Sequence, residues 1–256
     1  KDVPTANEFI LYQEYFEREG ISTLILSPDE LEYDGTSLTY RGKRVDLIYK
    51  RVLGSEFLQR YGLDHPIVDA LRDRRVVMAN GFRCKLLHKK MIFALLSDER
   101  FTHLYSPEQL RAIREHIPWT RKLAERTTEL DGRSIDLLPY VSSHKDDFVL
   151  KPNDEYGGKG VVLGWETSQA AWDAALREGL DTSTIVQRKV KIATEIFPVL
   201  SGGELSFGPR LVDLDPYIFK GEFAHGCLTR LSGGGLLNVS AGGGSVVPTF
   251  LIDRRE

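Results

Sequence analysis

Helical and strand periods alternate along the first ninety residues. Thr5 followed by Glu8 is a capping-box pattern, and the apolar positions after it repeat as in a helix until Gly20. The elements that these periods predict are a helix over 5–20, a strand over 21–26, a hairpin over 31–40, a strand over 45–49, helices over 55–61 and 66–73, and a strand over 76–79. Because helices and strands alternate, we predict a mostly parallel sheet in this part of the chain.

The rest of the chain is less regular. Residues 88–96 have a helical pattern, and Ser106-Pro107 with Gln109 opens a second helix. The polar segment 127–145 predicts a loop. A helix over 168–177 that stops at Gly179 and a strand over 184–190 follow. Beyond residue 200 glycine is frequent, which predicts short antiparallel strands.

A glycine-rich turn between two apolar runs, over residues 148–162, carries the clearest chemical signal. This pattern predicts two strands joined by a loop whose backbone N–H groups can converge on an anion. Glycine follows the loop lysine where the phosphate loop of common NTPases requires Ser or Thr, so the segment matches that motif poorly. The alternatives are a polyphosphate site and a plain hairpin with a solvated lysine. The candidate residues are Lys151, Gly157, Gly158, Lys159 and Gly160.

Composition narrows the class of protein. The chain has 256 residues, 41% of them hydrophobic, with interspersed charges and a net charge of -3, which argues against a nucleic-acid partner. Cys84 and Cys227 lie far apart and predict reduced thiols in a cytoplasmic protein. No apolar run reaches the length of a membrane span, so we expect no membrane partner.

Four features follow one another in a fixed order. Lys90 lies in the apolar segment 86–96, and Lys151 with its glycine loop comes about sixty residues later. The segments 185–190 and 226–245 complete the order. Together they resemble the ATP-grasp superfamily, in particular its circularly permuted branch that includes glutathionylspermidine synthase. The resemblance covers nearly the whole chain.

The resemblance implies a nucleotide site. Lys151 would contact the α and β phosphates, Lys90 would approach from the other side, and the glycine loop would close over the β and γ phosphates. The strand Gln187–Val190, which includes Arg188, would read the adenine edge through its backbone. Glu195 would bind the ribose. The alternative for Gln187–Val190 is an ordinary edge strand, and the alternative for Glu195 is a solvated carboxylate.

The resemblance also implies residues for the reaction. Arg230 would stabilise the γ-phosphate and acyl-phosphate oxygens, with a surface salt bridge as the alternative. Asp213 and Asp215 fall on one side of a strand, where we favour a structural or supporting role over Mg²⁺ binding. The candidates for holding substrate are Asn238, Gly243 and Gly244 in the final loop, and Arg51 near the start of the chain.

The implied fold class is α/β (α+β), with a circularly permuted ATP-grasp fold. A mostly parallel α/β subdomain would occupy 1–95, a lid subdomain 96–195, and C-terminal strands 196–256. The implied function is an ATP-dependent carboxylate–amine ligase that works through an acyl phosphate and needs ATP and Mg²⁺. Small-molecule or peptide carboxylates and amines would be its substrates. Two alternatives remain: a catalytically inactive ATP-binding module of a biosynthetic complex, and phosphoryl transfer to another acceptor.

The first residues carry a further expectation. Asp2, Pro4 and Thr5 match a segment that follows the metal-binding strand in permuted relatives. By that alignment the metal-binding Asn would lie directly before Lys1, so its carboxylate partner would also precede the chain. We therefore expect an upstream part of the same polypeptide as a partner, and no metal ligand is assigned within these residues. The chain alone is expected to bind nucleotide weakly without turnover.

Overall fold

The computed structural model describes residues 6–155, 157–234 and 244–251. It is a mixed α/β structure with several sheets, which is consistent with the α+β class. The chain divides into two compact units, Lys1–Leu86 and Leu87–Glu256. The division into three subdomains stays a prediction. No described helix combines the length and apolar character that crossing a membrane requires.

The first unit has a small core of buried apolar side chains, which include Leu38, Phe57 and Ile67. Its strands form a three-stranded antiparallel sheet in the order β1-β2-β3 and a separate parallel pair of β4 and β5. Its elements are α1 (Ala6–Arg18), β1 (Glu32–Tyr33), β2 (Leu38–Tyr40), β3 (Lys43–Arg44), β4 (Leu47–Tyr49), α2 (Gly54–Tyr61), α3 (Pro66–Arg72) and β5 (Val77–Ala79).

Two predictions for this unit are wrong. The sheet is not mostly parallel, because the chain returns through tight turns and, among the described strands of this unit, only β4 and β5 run parallel. Residues 21–26 form no strand, and Ile21, Leu24 and Ile25 are exposed. Side chains of α1 satisfy the backbone there, since Gln13 donates to the Thr23 carbonyl and Glu17 accepts from the Thr23 N–H. The predicted hairpin, α2 and α3 are confirmed.

The second unit contains two antiparallel four-stranded sheets. We call them the first sheet, with strand order β10-β9-β11-β6, and the second sheet, with strand order β12-β13-β14-β15. Its helices are α5 (Met91–Ser97), α6 (Pro107–His116), α7 (Leu137–Ser143) and α8 (Gln169–Asp181), after the short α4 (Lys85–His88) at the division. Its strands are β6 (Thr120–Lys122), β7 (Thr127–Leu130), β8 (Arg133–Asp136), β9 (Phe148–Pro152), β10 (Val162–Leu163), β11 (Thr184–Arg188), β12 (Thr194–Ser201), β13 (Glu204–Phe219), β14 (Phe223–Ser232) and β15 (Gly244–Val247).

The core of this unit fills the space between one face of the first sheet and helices α7 and α8. Leu150 and Val186 from the sheet pack with Val141 and Trp172 from the helices. Trp172 is fully buried, and its indole N–H donates to the Val141 carbonyl at 3.1 Å. Burying a side chain of this size contributes about 2–3 kcal/mol, so these contacts fix the sheet that carries Lys151.

Three predictions for the second unit need correction. Residues 127–145 are no loop, because β7 and β8 form a hairpin around Asp131 and Gly132, both with positive φ, and α7 follows. Gly179 does not stop α8. It lies inside the helix, where a Cβ would come within 2.6 Å of the Leu123 side chain. The strands beyond residue 200 are antiparallel as predicted but not all short, since β13 has 16 residues.

Of the two helices predicted between residues 88 and 116, the second is confirmed and the first is interrupted. The helix that Ser106-Pro107 opens is α6, and its capping box with Gln109 is present. The helical pattern over 88–96 is split into α4 and α5 at Lys89 and Lys90. This interruption positions Lys90 directly before α5.

Candidate functional site

Asn153, at the start of the glycine loop, joins three parts of the second unit. Its backbone carbonyl accepts from the Lys90 N–H at 3.1 Å and its side-chain oxygen accepts from the Met91 N–H at 2.9 Å. Its own N–H donates to the Ser183 carbonyl at 2.7 Å. The loop is therefore fixed to the start of α5 and to the residue before β11. Asn153 was not predicted as a site residue, because its only signal in the sequence is its position after Lys151-Pro152.

The ammonium groups of Lys90 and Lys151 lie close enough to interact. Lys90 Nζ donates to the Glu155 carbonyl at 2.5 Å, and Lys151 Nζ donates to Gln187 Oε1 at 2.7 Å. Burial lowers the pKa of the Lys151 ammonium below its ordinary value, and the positive charge of Lys90 lowers this pKa further. The partner of Lys151 is thus a neutral amide beside a second cation, an arrangement that favours an added anion.

Two carboxylates at the edge of the loop lie near basic side chains. Asp154 lies 3.7 Å from the His88 ring nitrogen and 3.9 Å from Lys89 Nζ. Glu155 lies 3.6 Å from Lys159 Nζ, and the Lys159 side chain is exposed. Both carboxylates therefore have a basic neighbour at the edge of the loop.

The loop has the backbone that its sequence predicted. β9 and β10 pair antiparallel on either side of it, and Gly157, Gly158 and Gly160 have φ of 66°, 76° and 70°. Other residues rarely adopt these angles. At Gly160 a Cβ would also come within 2.7 Å of the Pro152 ring. Gly160 therefore sets both the turn and its close approach to the end of β9.

The structure shows where the predicted adenine-reading strand lies. The backbone N–H of Arg188 donates to the Trp119 carbonyl at 2.9 Å, and the backbone N–H of Lys189 donates to the backbone carbonyl of Asp147 at 2.8 Å. The Arg188 guanidinium pairs with both oxygens of Asp131 at 2.8 and 2.9 Å. Val190 follows in exposed coil. The adenine-reading role stays a prediction, and in this structure the N–H groups of Arg188 and Lys189 are already used.

Arg230 lies on the second sheet with two carboxylates. It forms an ion pair with Asp213, which is directly opposite on β13, and lies 2.9 Å from Asp215. Both aspartates are thereby held by a guanidinium, the contact that a structural or supporting role requires. Within the described ranges no three His, Cys, Asp or Glu side chains are grouped so that they could hold a metal ion.

The remaining candidates lie apart in the chain. Arg51, in the first unit, pairs with Glu8, and its guanidinium lies over the Phe9 ring at 5.4 Å. Glu195 is exposed on β12, opposite Arg210. Gly244 opens β15, opposite Ser232. Asn238 and Gly243 lie outside the described residues. The ribose role of Glu195 and the substrate roles of the other residues all stay predictions.

A buried polar network beside the first sheet was not predicted. Asp98 accepts hydrogen bonds from Arg100 and Arg126, and Glu99 accepts from Arg126 and from Arg121, which is almost fully buried. Burial alone would raise the pKa of the Asp98 carboxyl, but the hydrogen bonds from the two arginines outweigh it and hold this pKa well below its ordinary value. The network links the end of α5 to β6 and β7.

No family model matches the chain. The chain is 27% identical over 253 residues to a Frankia casuarinae protein named "Putative glutamate--cysteine ligase 2-2", covering 90% of this chain and 27% of that protein. It is 28% identical over 224 residues to an uncharacterized Mycobacterium tuberculosis protein, covering 81% of this chain and 37% of that protein. It is 30% identical over 218 residues to an uncharacterized Synechocystis protein, covering 79% of this chain and 42% of that protein. The chain thus spans between 27% and 42% of the length of these relatives.

Proposed function

We propose that the chain is the nucleotide-binding part of an ATP-dependent carboxylate–amine ligase of the circularly permuted ATP-grasp type. The observation that carries this proposal is the pair of interacting cations, Lys90 and Lys151, beside a loop with three left-handed glycines. The Frankia casuarinae relative named "Putative glutamate--cysteine ligase 2-2" supports the class of reaction, because such a ligase joins a carboxylate to an amine.

The residues of the site fit a nucleoside triphosphate. A triphosphate carries several negative charges, and Lys90 and Lys151 supply two fixed positive charges from different elements. Bound ATP would supply the phosphoryl group that activates a carboxylate as an acyl phosphate. The two lysines and the glycine loop would orient the phosphates and exclude water from them. Among the described residues no three His, Cys, Asp or Glu side chains are grouped so that they could hold Mg²⁺, and the Asp213 and Asp215 carboxylates are engaged by Arg230.

One observation favours a second candidate function, a catalytically inactive ATP-binding module of a biosynthetic complex. Arg230 is the residue proposed to stabilise the transferring phosphoryl group, yet its guanidinium pairs with Asp213 and Asp215. Such ion pairs reduce the charge that it can offer to a phosphate. In this candidate the lysine pair binds nucleotide and no acceptor is phosphorylated.

We propose further parts of the same polypeptide as the partner of this chain, and a cytoplasmic location for the whole. The partial coverage of the relatives supports the first point. The face that β12 and β13 share supports it too, since Ile196, Leu200, Leu205 and Phe207 are exposed at neighbouring positions there. Exposed apolar groups of this extent are typical of surfaces that another segment covers.

Measurement of ADP release separates the two candidate functions. The chain alone, and a longer polypeptide with the upstream region, are given ATP and Mg²⁺ with amino acids and polyamines as acceptors. The ligase proposal expects acceptor-dependent ADP release from the longer polypeptide and nucleotide binding without turnover from the chain alone. Tight nucleotide binding by the longer polypeptide with no release under any acceptor would favour the inactive module.

Gly160→Ala is expected to weaken binding of a non-hydrolysable ATP analogue by about ten-fold, because the left-handed conformation costs about 1–2 kcal/mol for a residue with a Cβ. The new methyl would also displace the Pro152 ring. Gly132→Ala is the matched control, since Gly132 has φ of 74° but open space around its Cβ position. Calorimetric titration should show weaker binding for Gly160→Ala alone. Equal affinities for the two variants would argue against a phosphate role for the loop.

A further inference from the structure

We infer that Thr120 is a positioning residue whose hydroxyl sets the orientation of the Gln187 amide, which in turn holds the Lys151 ammonium at the site. The three residues lie on adjacent strands of the first sheet. Gln187 on β11 lies directly opposite Thr120 on β6. On the other side of β11, Gln187 lies opposite Val149 on β9, and Lys151 is two residues after Val149 on that strand. Side chains in these positions point to one face of the sheet.

The Thr120 hydroxyl has a single hydrogen, and the fold uses it. Thr120 Oγ1 donates to the Pro118 carbonyl at 2.8 Å. Toward Gln187 the hydroxyl can therefore only accept, and it accepts from Gln187 Nε2 at 2.9 Å. Thr120 is fully buried and Gln187 nearly so, so water does not compete for these groups.

This contact decides which end of the amide faces Lys151. With its N–H group on Thr120, Gln187 presents Oε1 to the Lys151 ammonium at 2.7 Å. A reversed amide would place its N–H group against the ammonium and its oxygen against a hydroxyl that has no hydrogen to give. Both contacts would be lost, and a buried polar group without a partner is costly. The hydroxyl thus selects the amide orientation that accepts from a protonated lysine.

Thr120 is itself held in place from α5. Its backbone N–H donates to Ser97 Oγ at 3.1 Å, and Ser97 lies at the last position of the helix. Lys90 lies immediately before the first residue of the same helix. The strand residue that orients Lys151 is therefore bonded to the helix that Lys90 precedes, which couples the positions of the two cations.

The test compares Thr120→Val, which removes the hydroxyl at nearly constant shape, with Thr120→Ser, which keeps it. The rate at which a small acylating reagent modifies Lys151 is followed against pH by peptide mass spectrometry, without nucleotide. Only the unprotonated amine reacts, so the pH at which the modification rate is half of its maximum, the midpoint, gives the pKa of Lys151. We expect Thr120→Val to lower this midpoint by about one pH unit, because the charged amine loses its oriented acceptor, and Thr120→Ser to leave it within a few tenths.

A second variant keeps the test decisive if Thr120→Val does not fold. Gln187→Glu places a charged acceptor on Lys151 and is expected to raise the midpoint by about one unit. Tryptophan fluorescence confirms folding of each variant. An unchanged midpoint in Thr120→Val or in Gln187→Glu overturns the inference, as does an equal shift in Thr120→Ser and Thr120→Val.

The role of the positioned lysine in nucleotide binding rests on the proposed function, and a separate readout tests it. Affinity for a non-hydrolysable ATP analogue is expected to fall about ten-fold in Thr120→Val and less than about two-fold in Thr120→Ser. A shifted midpoint with unchanged affinity supports the positioning by Thr120 and counts against the nucleotide site. The two claims can therefore fail separately.

Discussion

Replacement of Lys151 by alanine is expected to weaken ATP binding by about 2 kcal/mol, or about thirty-fold, the scale for losing a hydrogen bond to a charged group. Both lysines of the cation pair are half-buried, and the hydrogen-bond acceptor of Lys151 is the neutral amide of Gln187. Removing the side chain should affect a bound anion more than it affects the fold. Calorimetric titration with a non-hydrolysable analogue measures the change.

Lys43→Ala is the matched control for this experiment. It removes the same formal charge from an exposed position on β3 of the first unit. The Lys43→Ala variant should bind the ATP analogue as tightly as the unchanged chain does. If Lys151→Ala binds as tightly as Lys43→Ala, Lys151 does not belong to the nucleotide site and the proposed function loses its main support.

Asp98→Asn is expected to destabilise the second unit by about 3 kcal/mol, since breaking a buried ion pair leaves uncompensated charge. The Asp98 side chain is 3% exposed and contacts Arg100 and Arg126. Asp146→Asn, in the same unit, is the control, because the Asp146 side chain is 72% exposed where it pairs with Lys145, so its replacement should cost at most about 1 kcal/mol. Urea unfolding followed by tryptophan fluorescence reports on the second unit alone, which contains all three tryptophans.

The effect of Asp98→Asn should depend on pH in a defined direction. The folded-state pKa of Asp98 lies below the unfolded value of about 4. The stabilising contribution of the carboxylate is therefore fully present above about pH 5 and is lost as the pH falls through the unfolded pKa toward the folded one. The difference between the variant and the unchanged chain should shrink between pH 6 and about pH 3. A difference that stays constant over this range would show that the charge of Asp98 is not its source.

The parts of the fold that local chemistry determines were predictable from the sequence. The capping box of Ser106 and Gln109 predicted the start of α6, and the glycines between residues 148 and 162 predicted a hairpin loop with left-handed residues. Asp131-Gly132 was an available signal for the β7–β8 hairpin, which was missed because the surrounding residues are polar.

Other features depend on contacts between distant segments, which no local pattern describes. Gly179 resembles a helix stop, but it is the close approach of Leu123 that requires glycine there. Residues 21–26 have strand-like composition, and side chains of α1 take up the backbone groups of Thr23.

Within the site, Lys90, Lys151 and the glycines were identified from their order along the chain. Thr120 and Asn153 were not, since their importance comes from partners more than thirty residues away.

We propose that Lys90, Lys151 and the glycine loop together bind the phosphates of a nucleotide, and a crystal structure of the chain with a non-hydrolysable ATP analogue would show this. We expect phosphate oxygens within hydrogen-bonding distance of both Lys90 Nζ and Lys151 Nζ, under the loop that contains Gly157, Gly158 and Gly160. A bound analogue whose phosphates contact neither lysine, or no bound analogue at millimolar concentration, would contradict this proposal.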